Sequence, residues 1–112
     1  MNKKVLVFGY SDNPDRYAYK AFKLLMDFDY APVGFSPRND DISQFNDYYH
    51  TLTLYVGEEI SNKFSDEILK LKFDRLIFNP GSENINLEQK LVQKGVEVVH
   101  GCTLVMLKTD QF

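Results

Sequence analysis

Short apolar runs alternate with longer amphipathic stretches along this chain, and the alternation predicts strands separated by helices. The first run, KVLVF at residues 4–8, is typical of a strand buried on both faces. From Arg16 onward the apolar residues fall at the i, i+3, i+4 and i+7 positions of one helix face. The segments predicted in the same way are strands at 30–35, 50–56, 73–79 and 96–100, helices at 59–71 and 85–95, and a short final helix.

The order of these segments predicts an α/β fold, a doubly wound, three-layer α/β/α arrangement around a parallel sheet. Strands that alternate with helices pair in parallel through right-handed crossovers. Pro32 indicates that the second strand is edge-like or irregular, because proline has no N–H for a sheet ladder. Gly95 predicts the end of the helix at 85–95, and Asn86 with Gln89 resembles a capping box near its start.

Composition narrows the classes of protein that fit. The 112 residues suit one domain over 1–112, and 44% hydrophobic with 26% charged residues is ordinary for a globular domain. A net charge of -3 argues against a mainly electrostatic grip on nucleic acid or on an acidic membrane. One cysteine rules out an internal disulfide framework, and no apolar run approaches the ~20 residues of a membrane-spanning helix. We therefore expect a cytoplasmic protein.

The stretch VFGYSDNPDRYAYKAF at residues 7–22 is the first candidate for chemistry. If the first strand is central, Gly9 begins a turn at the carboxyl edge of the sheet, where doubly wound sheets bind ligands. The unpaired N–H groups of a helix start can hold a phosphate, and Ser11, Asn13 and Arg16 could add contacts. Ordinary turn chemistry explains the same residues equally well. The dinucleotide fingerprint with three glycines is missing, which argues against a standard NAD site.

Two further turns follow predicted strands and could face the same ligand. Residues 36–38 end in Arg38, and an arginine after the second strand favours a phosphate on a ribose, as in NADP sites. An exposed arginine in a polar loop explains Arg38 as well. Residues 79–81 follow the fourth predicted strand, and their N–H groups could contact a ligand or form only a turn before a helix.

Cys102 is the one thiol, and it lies just past the last predicted strand, near a helix start that would stabilise a thiolate. His100 would share a face with Cys102 if the strand continued. Because no third group that orients a base is evident, Cys102 is a weak catalytic candidate and is more simply a small buried hydrophobe. Two histidines and one cysteine, widely spaced, predict no metal site.

Four segments together resemble one known family. They are GYSDNPDRYAYKA near the start, TLTLYV, RLIFNPGSEN, and VEVVHGCTLVML near the end. The chain resembles, over nearly its whole length, the small single-domain CoA-binding proteins, whose fold is similar to the CoA-binding domain of the succinyl-CoA synthetase α-subunit. The resemblance implies a Rossmann-like fold with five parallel strands in the order 3-2-1-4-5. It also implies a site for the nucleotide end of coenzyme A.

The resemblance assigns site residues by position. It places the diphosphate at the first turn, the ribose and its 3′-phosphate after strand 2, the adenine after strand 3, and the route to the pantetheine after strand 4. The segment between strands 2 and 3 has no glycine, which departs from the family pattern. In that order, the implied residues are Gly9, Ser11, Asn13, Arg16 and Tyr17; Pro37 and Arg38; Tyr55, Val56 and Gly57; and Asn79, Pro80 and Gly81.

We expect a non-enzymatic carrier or regulatory module that binds CoA or an acyl-CoA through its nucleotide-diphosphate end. Two alternatives stay open. One is an enzyme or sensor that binds NADP or another nucleotide through Arg38, and the other is a Rossmann-like scaffold with a vestigial pocket. The expected partner is a small molecule, and neither nucleic acid nor a membrane is expected. The aromatic tail that ends at Phe112 could contribute to a homodimer contact.

Overall fold

The computed structural model describes residues 3–112, and its five strands pair in parallel, as the alternation predicts. The strands are β1 (Lys4–Phe8), β2 (Ala31–Phe35), β3 (Tyr48–Leu54), β4 (Lys72–Phe78) and β5 (Glu97–His100). The helices are α1 (Tyr17–Asp27), α2 (Glu58–Lys63), α3 (Ser65–Lys70), α4 (Ile85–Lys94) and α5 (Thr103–Lys108), with a 3-10 turn at Ile42–Gln44.

The strand β1 contributes to two apolar layers, one on each face of the sheet, because its successive side chains point to opposite faces. Val5 and Val7 pack with residues of α1 and α5, and Leu6 and Phe8 pack in the opposite layer with residues of α3 and α4. Each fully buried side chain of this kind stabilises the fold by about 1.5–3 kcal/mol. The predicted α/β/α arrangement is confirmed.

The strand order is β2-β1-β3-β4-β5, so the predicted order 3-2-1-4-5 is wrong. β3 pairs with both β1 and β4, and its residues 51–54 are completely buried. β2 pairs only with β1, and an edge strand tolerates Pro32 because one row of its N–H groups needs no sheet partner. The predicted order would have placed Pro32 inside the sheet, where proline removes a ladder hydrogen bond.

The predicted helix at 59–71 is two short helices, because the chain bends at Phe64. Phe64 has φ −103 and ψ 9, ends α2 and precedes α3. Its ring packs edge-on against Phe8 and Phe35, with both centroid distances 5.6 Å. This packing under the sheet overrides the helical period that the sequence shows.

The helix α4 begins and ends at polar positions. Asn84 caps it by accepting the N–H of Leu87 at 3.1 Å, so the capping role predicted for Asn86 is wrong. Gly95 ends it with φ 90, as predicted.

The residue Phe112 packs within its own chain. Its ring lies 5.0 Å from the Tyr30 ring and 4.6 Å from the Arg75 guanidinium carbon. A homodimer contact through this tail stays a prediction.

Candidate functional site

The observed strand order places the topological switch point of the sheet between the carboxyl ends of β1 and β3, and we call this position the crevice. The chain leaves β1 through α1 toward β2 on one side, and it leaves β3 through α2 and α3 toward β4 on the other. Ligands of doubly wound sheets bind at such a switch point, where the two connections diverge. The turn at 9–17 and the residues after β3 form the two walls of this crevice.

Gly9 draws the ends of three strands together. Its N–H donates to the Phe35 carbonyl at 2.8 Å, and its φ of 106 lies in the left-handed region that favours glycine. A Cβ at Gly9 would lie 2.9 Å from Val56 Cγ1 and 3.3 Å from the Tyr55 carbonyl carbon. Both the conformation and the packing therefore require glycine here.

The loop that follows Gly9 is held by its own side chains. Ser11 Oγ accepts the N–H of Asn13 at 3.1 Å, and Asn13 Oδ1 accepts the N–H of Asp15 at 3.0 Å. The Arg16 N–H donates to the Asn13 carbonyl at 3.0 Å. These bonds fix the position at which α1 begins, while the Ser11 hydroxyl and the Asn13 amide still have hydrogens to donate.

The start of α1 offers backbone donors to the crevice. Arg16 is the N-cap residue and makes no side-chain capping bond, and the first turn has no acidic residue. The Lys20 N–H donates to the Arg16 carbonyl at 3.2 Å, and it is the first N–H of the helix that has an acceptor within residues 3–112. The N–H groups of residues 17–19 and the positive end of the helix dipole therefore suit an anion.

Side-chain charge around this helix start is balanced. The exposed Asp12 and Asp15 carboxylates precede the Arg16 cation, and Lys20 lies one turn into the helix. The Tyr17 ring is 68% exposed, with Lys20 Nζ 5.6 Å from its centroid. Because the formal charges cancel, attraction for a diphosphate depends on the backbone N–H groups rather than on net charge.

The turn after β2 lies beside the first turn because Phe35, its last strand residue, bonds to Gly9. Pro37 is half-buried and Arg38 is exposed, and Arg38 makes no ion pair or hydrogen bond within residues 3–112. Asp40 Oδ2 accepts the Ser36 N–H at 2.8 Å and closes the turn. Arg38 is therefore a cation open to a ligand on the β2 side of the crevice.

The residues after β3 form the opposite wall. Val56 is buried, whereas Gly57 is exposed and no atom lies within 4 Å of the position that a Cβ would take. Gly57 has φ −71 and ψ 172, an extended conformation open to any residue. Neither packing nor conformation requires glycine at this position, so its missing side chain leaves open space at the edge of the crevice.

Asn79 is 2% exposed and joins three elements rather than facing solvent. Its amide nitrogen donates to Thr53 Oγ1 at 2.7 Å and to the Leu54 carbonyl at 2.9 Å. Its Oδ1 accepts the Thr103 N–H at 2.9 Å, and the Thr53 and Thr103 hydroxyls are 2.7 Å apart. Asn79 therefore fixes the ends of β3 and β4 and the start of α5.

Sequence reasoning missed Thr53 and Thr103 as members of this buried polar cluster. The available signal was the alternation HTLTL at residues 50–54 of β3, which places Thr51 and Thr53 on one face of the strand.

The Tyr55 hydroxyl lies beside this cluster. Burial raises the pKa of Tyr55 to about 12, although the hydroxyls of Thr103 and Thr53 nearby act in the opposite direction. The phenol oxygen is buried and makes no hydrogen bond of good geometry within residues 3–112. Tyr55 therefore stays protonated at neutral pH, and its side chain packs against the apolar layer that contains residues of α1 and α5.

Pro80 and Gly81 form an exposed turn after β4. Gly81 has φ 92, and its N–H donates to both carboxylate oxygens of Glu83, at 3.0 and 3.2 Å. The backbone donor of this turn is thus already occupied within the chain, and the turn offers surface rather than a free N–H to a ligand.

Cys102 and His100 do not form a catalytic pair. β5 ends at His100, whose Nε2 lies 2.8 Å from Glu88 Oε1 and whose ring stacks on Phe78 at 5.3 Å. Cys102 is half-buried and precedes α5. Within residues 3–112, no three His, Cys, Asp or Glu side chains gather as metal ligands. No helix of that part of the chain is long and apolar enough to cross a membrane.

The structure places the predicted site residues after four neighbouring strands of the sheet. Pro37 and Arg38 follow the edge strand β2, and the turn at 9–17 follows the central strand β1. Residues 55–57 and 79–81 follow β3 and β4, on the other side of β1. The residues predicted for the ribose and for the adenine thus lie on opposite sides of those predicted for the diphosphate.

Solved structures with the same fold cover nearly the whole chain. A crystal structure of an uncharacterized protein is 35% identical, covers 100% of this chain and 99% of that chain, and has a TM-score of 0.85. A Thermus thermophilus structure is 18% identical, with coverage of 99% and 91% and a TM-score of 0.87. A hypothetical protein from Pyrococcus horikoshii OT3 is 18% identical, with coverage of 96% and 82% and a TM-score of 0.83. The last two show the fold alone.

No curated protein sequence matches the chain. The family model described as CoA binding domain matches residues 3–108, which is nearly the whole chain. With its parallel sheet and its open helix start at the switch point, this protein belongs to the family of CoA-binding domains.

Proposed function

We propose that this protein binds CoA or an acyl-CoA through the nucleotide-diphosphate end of the ligand and acts as a carrier or regulatory module. The observation that carries the proposal is the start of α1, which has no side-chain cap and no acidic residue in its first turn. This start lies at the switch point of a chain that matches the CoA binding domain family over residues 3–108. A diphosphate supplies the negative charge that such a helix start attracts.

The strand order supports one direction for the ligand along the sheet edge. The adenosine of CoA is joined to one end of the diphosphate and the pantetheine to the other, so an extended CoA leaves the α1 start on both sides. The exposed cation Arg38 favours the β2 side for the adenosine and its phosphate. The pantetheine then passes Gly57 and the turn at 79–81. This arrangement replaces the adenine role assigned to residues 55–57 by resemblance.

The expected affinity is modest. Charge-assisted hydrogen bonds contribute about 1.5–3 kcal/mol each, and the cancelling charges around Arg16 add little net attraction. Two or three such bonds with a stacked or packed adenosine approach the roughly −8 kcal/mol of micromolar binding. We therefore expect a dissociation constant for CoA in the micromolar range.

The geometry around Cys102 supports a binding role over nucleophilic catalysis by this thiol. A nucleophile needs a base within hydrogen-bond reach. The nearest candidate in sequence, His100, is engaged by Glu88 at 2.8 Å. A carrier or regulatory module needs no such pair.

Titration calorimetry with CoA, dephospho-CoA, NADP and NAD tests the proposal, and Gly57 provides the variant. Gly57→Val places a branched side chain in the open space beside Gly57. Gly57→Ser adds a smaller side chain, which also suits the N-cap position of α2. We expect micromolar CoA binding that falls at least tenfold in Gly57→Val and less in Gly57→Ser, with both variants folded by circular dichroism.

Two results would contradict this function. Tighter binding of NADP than of CoA would favour the NADP-dependent enzyme or sensor. If none of the four ligands binds measurably, the result would favour a scaffold whose partner is another protein.

A further inference from the structure

Residues 109–112, which we call the tail segment, fold back over the amino end of the sheet. Asp110 has φ 59, a left-handed conformation that turns the chain after α5. Phe112 is half-buried and packs against the apolar layer that contains residues of α1 and α5. Its ring meets the Tyr30 ring edge-on, with the centroids 5.0 Å apart. The tail segment therefore covers the end of the sheet opposite the candidate site.

Beneath the tail segment, three side chains form a hydrogen-bond relay. The Phe112 ring lies 4.6 Å from the guanidinium carbon of Arg75, whose Nε donates to Thr51 Oγ1 at 3.0 Å. Thr51 is completely buried, and its oxygen is 2.8 Å from His50 Nδ1. Within residues 3–112 the Thr51 hydroxyl has these two partners, and arginine can only donate, so its hydrogen goes to His50 Nδ1. The relay therefore holds His50 in the neutral form, with its proton on Nε2.

A second proton on His50 conflicts with this relay. Nδ1 then becomes a donor, so the Thr51 oxygen faces two donors and its own hydrogen has no acceptor within residues 3–112. The proton also adds a cation close to Arg75, whose Nη2 is buried and makes no hydrogen bond in that part of the chain. Cations that have lost water without gaining a partner are costly. Moving Phe112 away would let water reach both of them.

Burial of the His50 ring is the largest cause of its lowered pKa, ahead of the neighbouring charges. The titratable groups that face the ring are the cations Arg75 and Lys3, the carboxylates Asp74 and Glu97, and Tyr30. The formal charges of the two cations and the two carboxylates balance. The Phe112 ring, whose centroid is 6.2 Å from that of His50, contributes to the burial. Opening the tail segment therefore removes part of what keeps His50 neutral.

We propose that the tail segment is a pH-sensitive cover, closed over Arg75 while His50 is neutral and released when His50 takes up a proton. The release exposes Arg75 together with the Phe112 and Tyr30 rings, which gives the amino end of the sheet a cationic, aromatic surface. The inference goes beyond the proposed function and does not depend on CoA binding. Because the closed form lowers the pKa of His50, the released form gains as pH falls below the ordinary 6.5. Each unit by which this pKa differs between the two forms changes their ratio about tenfold.

Proton NMR on the full chain tests the proposal, from about pH 8 to about pH 5, the range in which histidines titrate. The chain has two histidines, so the exposed His100 is an internal control for the His50 titration. Nuclear Overhauser contacts between the Phe112 and Tyr30 rings report the closed tail segment. The rings of Tyr10 and Phe22, with centroids 4.8 Å apart, report whether the fold is intact.

The variant His50→Asn keeps an oxygen that can accept the Thr51 hydroxyl but takes up no proton. We expect the Phe112–Tyr30 contact to be lost in wild type at the midpoint of the His50 titration and to persist in His50→Asn. The matched variant His100→Asn should lose the contact as wild type does. Phe112→Ala should raise the His50 midpoint toward 6.5 and leave the His100 midpoint unchanged.

Four results would overturn this proposal. The first is a Phe112–Tyr30 contact that persists or strengthens after His50 has been protonated. The second is an acid loss of the contact that occurs in His50→Asn as well, which would assign it to another group. The third is an unchanged His50 midpoint in Phe112→Ala, which would show that the tail segment and the ring are not coupled. The fourth is loss of the Tyr10–Phe22 contact at the same pH, which would show unfolding of the domain instead.

Discussion

Replacing Asn79 with alanine tests whether one buried amide holds the ligand edge of the sheet together. The side chain is 2% exposed and bonds to Thr53 Oγ1, to the Leu54 carbonyl and to the Thr103 N–H. Alanine removes all of these bonds at once. The Thr53 and Thr103 hydroxyls keep their bond to each other, so the loss falls mainly on the two backbone groups.

The expected destabilisation follows from those two groups. A buried donor left without a partner costs about 1–3 kcal/mol, which applies to the Thr103 N–H. The Leu54 carbonyl loses one bond worth about 1 kcal/mol, and the space vacated by the amide adds a smaller packing loss. We expect Asn79→Ala to lower the free energy of unfolding by about 3–4 kcal/mol, a large part of the ~5–15 kcal/mol of an ordinary domain.

Urea unfolding followed by far-ultraviolet circular dichroism measures this loss. With a slope of about 1–3 kcal/mol per molar urea, the midpoint should fall by roughly 2 M. Asn86→Ala is the matched control, because Asn86 is exposed on α4 and should change stability by no more than about 0.5 kcal/mol. A loss below about 1 kcal/mol in Asn79→Ala would refute the idea that its hydrogen bonds lock this edge.

Two further changes test other parts of the structure. Gly9→Ala should destabilise the protein strongly, since its Cβ would lie 2.9 Å from Val56 Cγ1 at a φ of 106; unfolding midpoints equal to wild type would show that the turn adapts freely. Burial, and then the Arg75 cation, lower the pKa of His50 from its ordinary 6.5. The folded state therefore resists protonation, and the stability contributed by His50 is present above pH 6.5 and lost as pH falls through the lowered pKa. The urea midpoint should decrease from neutral to mildly acidic pH by more in wild type than in His50→Gln. An equal decrease in the two proteins would contradict this reasoning.

Much of the fold could be predicted because its signals are local. The VLV run of β1, the helical period from Arg16 and the glycine at position 95 each act through nearby residues. The break at Phe64 could not be predicted in this way, because the ring turns toward Phe8 and Phe35, which are distant in sequence. The cap at Asn84 was missed because Asn86 matches the same local pattern two residues later.

The candidate site also has some features that local sequence patterns predict and others that depend on tertiary contacts. The turn at 9–17 could be proposed from sequence, because a glycine between a strand and a helix start is a local pattern. The roles of Thr53, Asn79 and Thr103 as one buried cluster depend on β3, β4 and α5 meeting in space. The charge of Asp40 was visible in the sequence, but its bond to the Ser36 N–H was not.

By itself, the sequence determined an α/β chain of parallel strands and a glycine turn before α1, because periodicity and turn chemistry depend on neighbouring residues. Only the tertiary structure decided the strand order, because the pairing of β1 with β3 joins segments more than forty residues apart. Pro32 carried a local hint that β2 is an edge strand, yet the position of β3 depended on burying its 51–54 segment between two neighbours. That placement separates the two walls of the crevice and so sets the direction in which a ligand can lie.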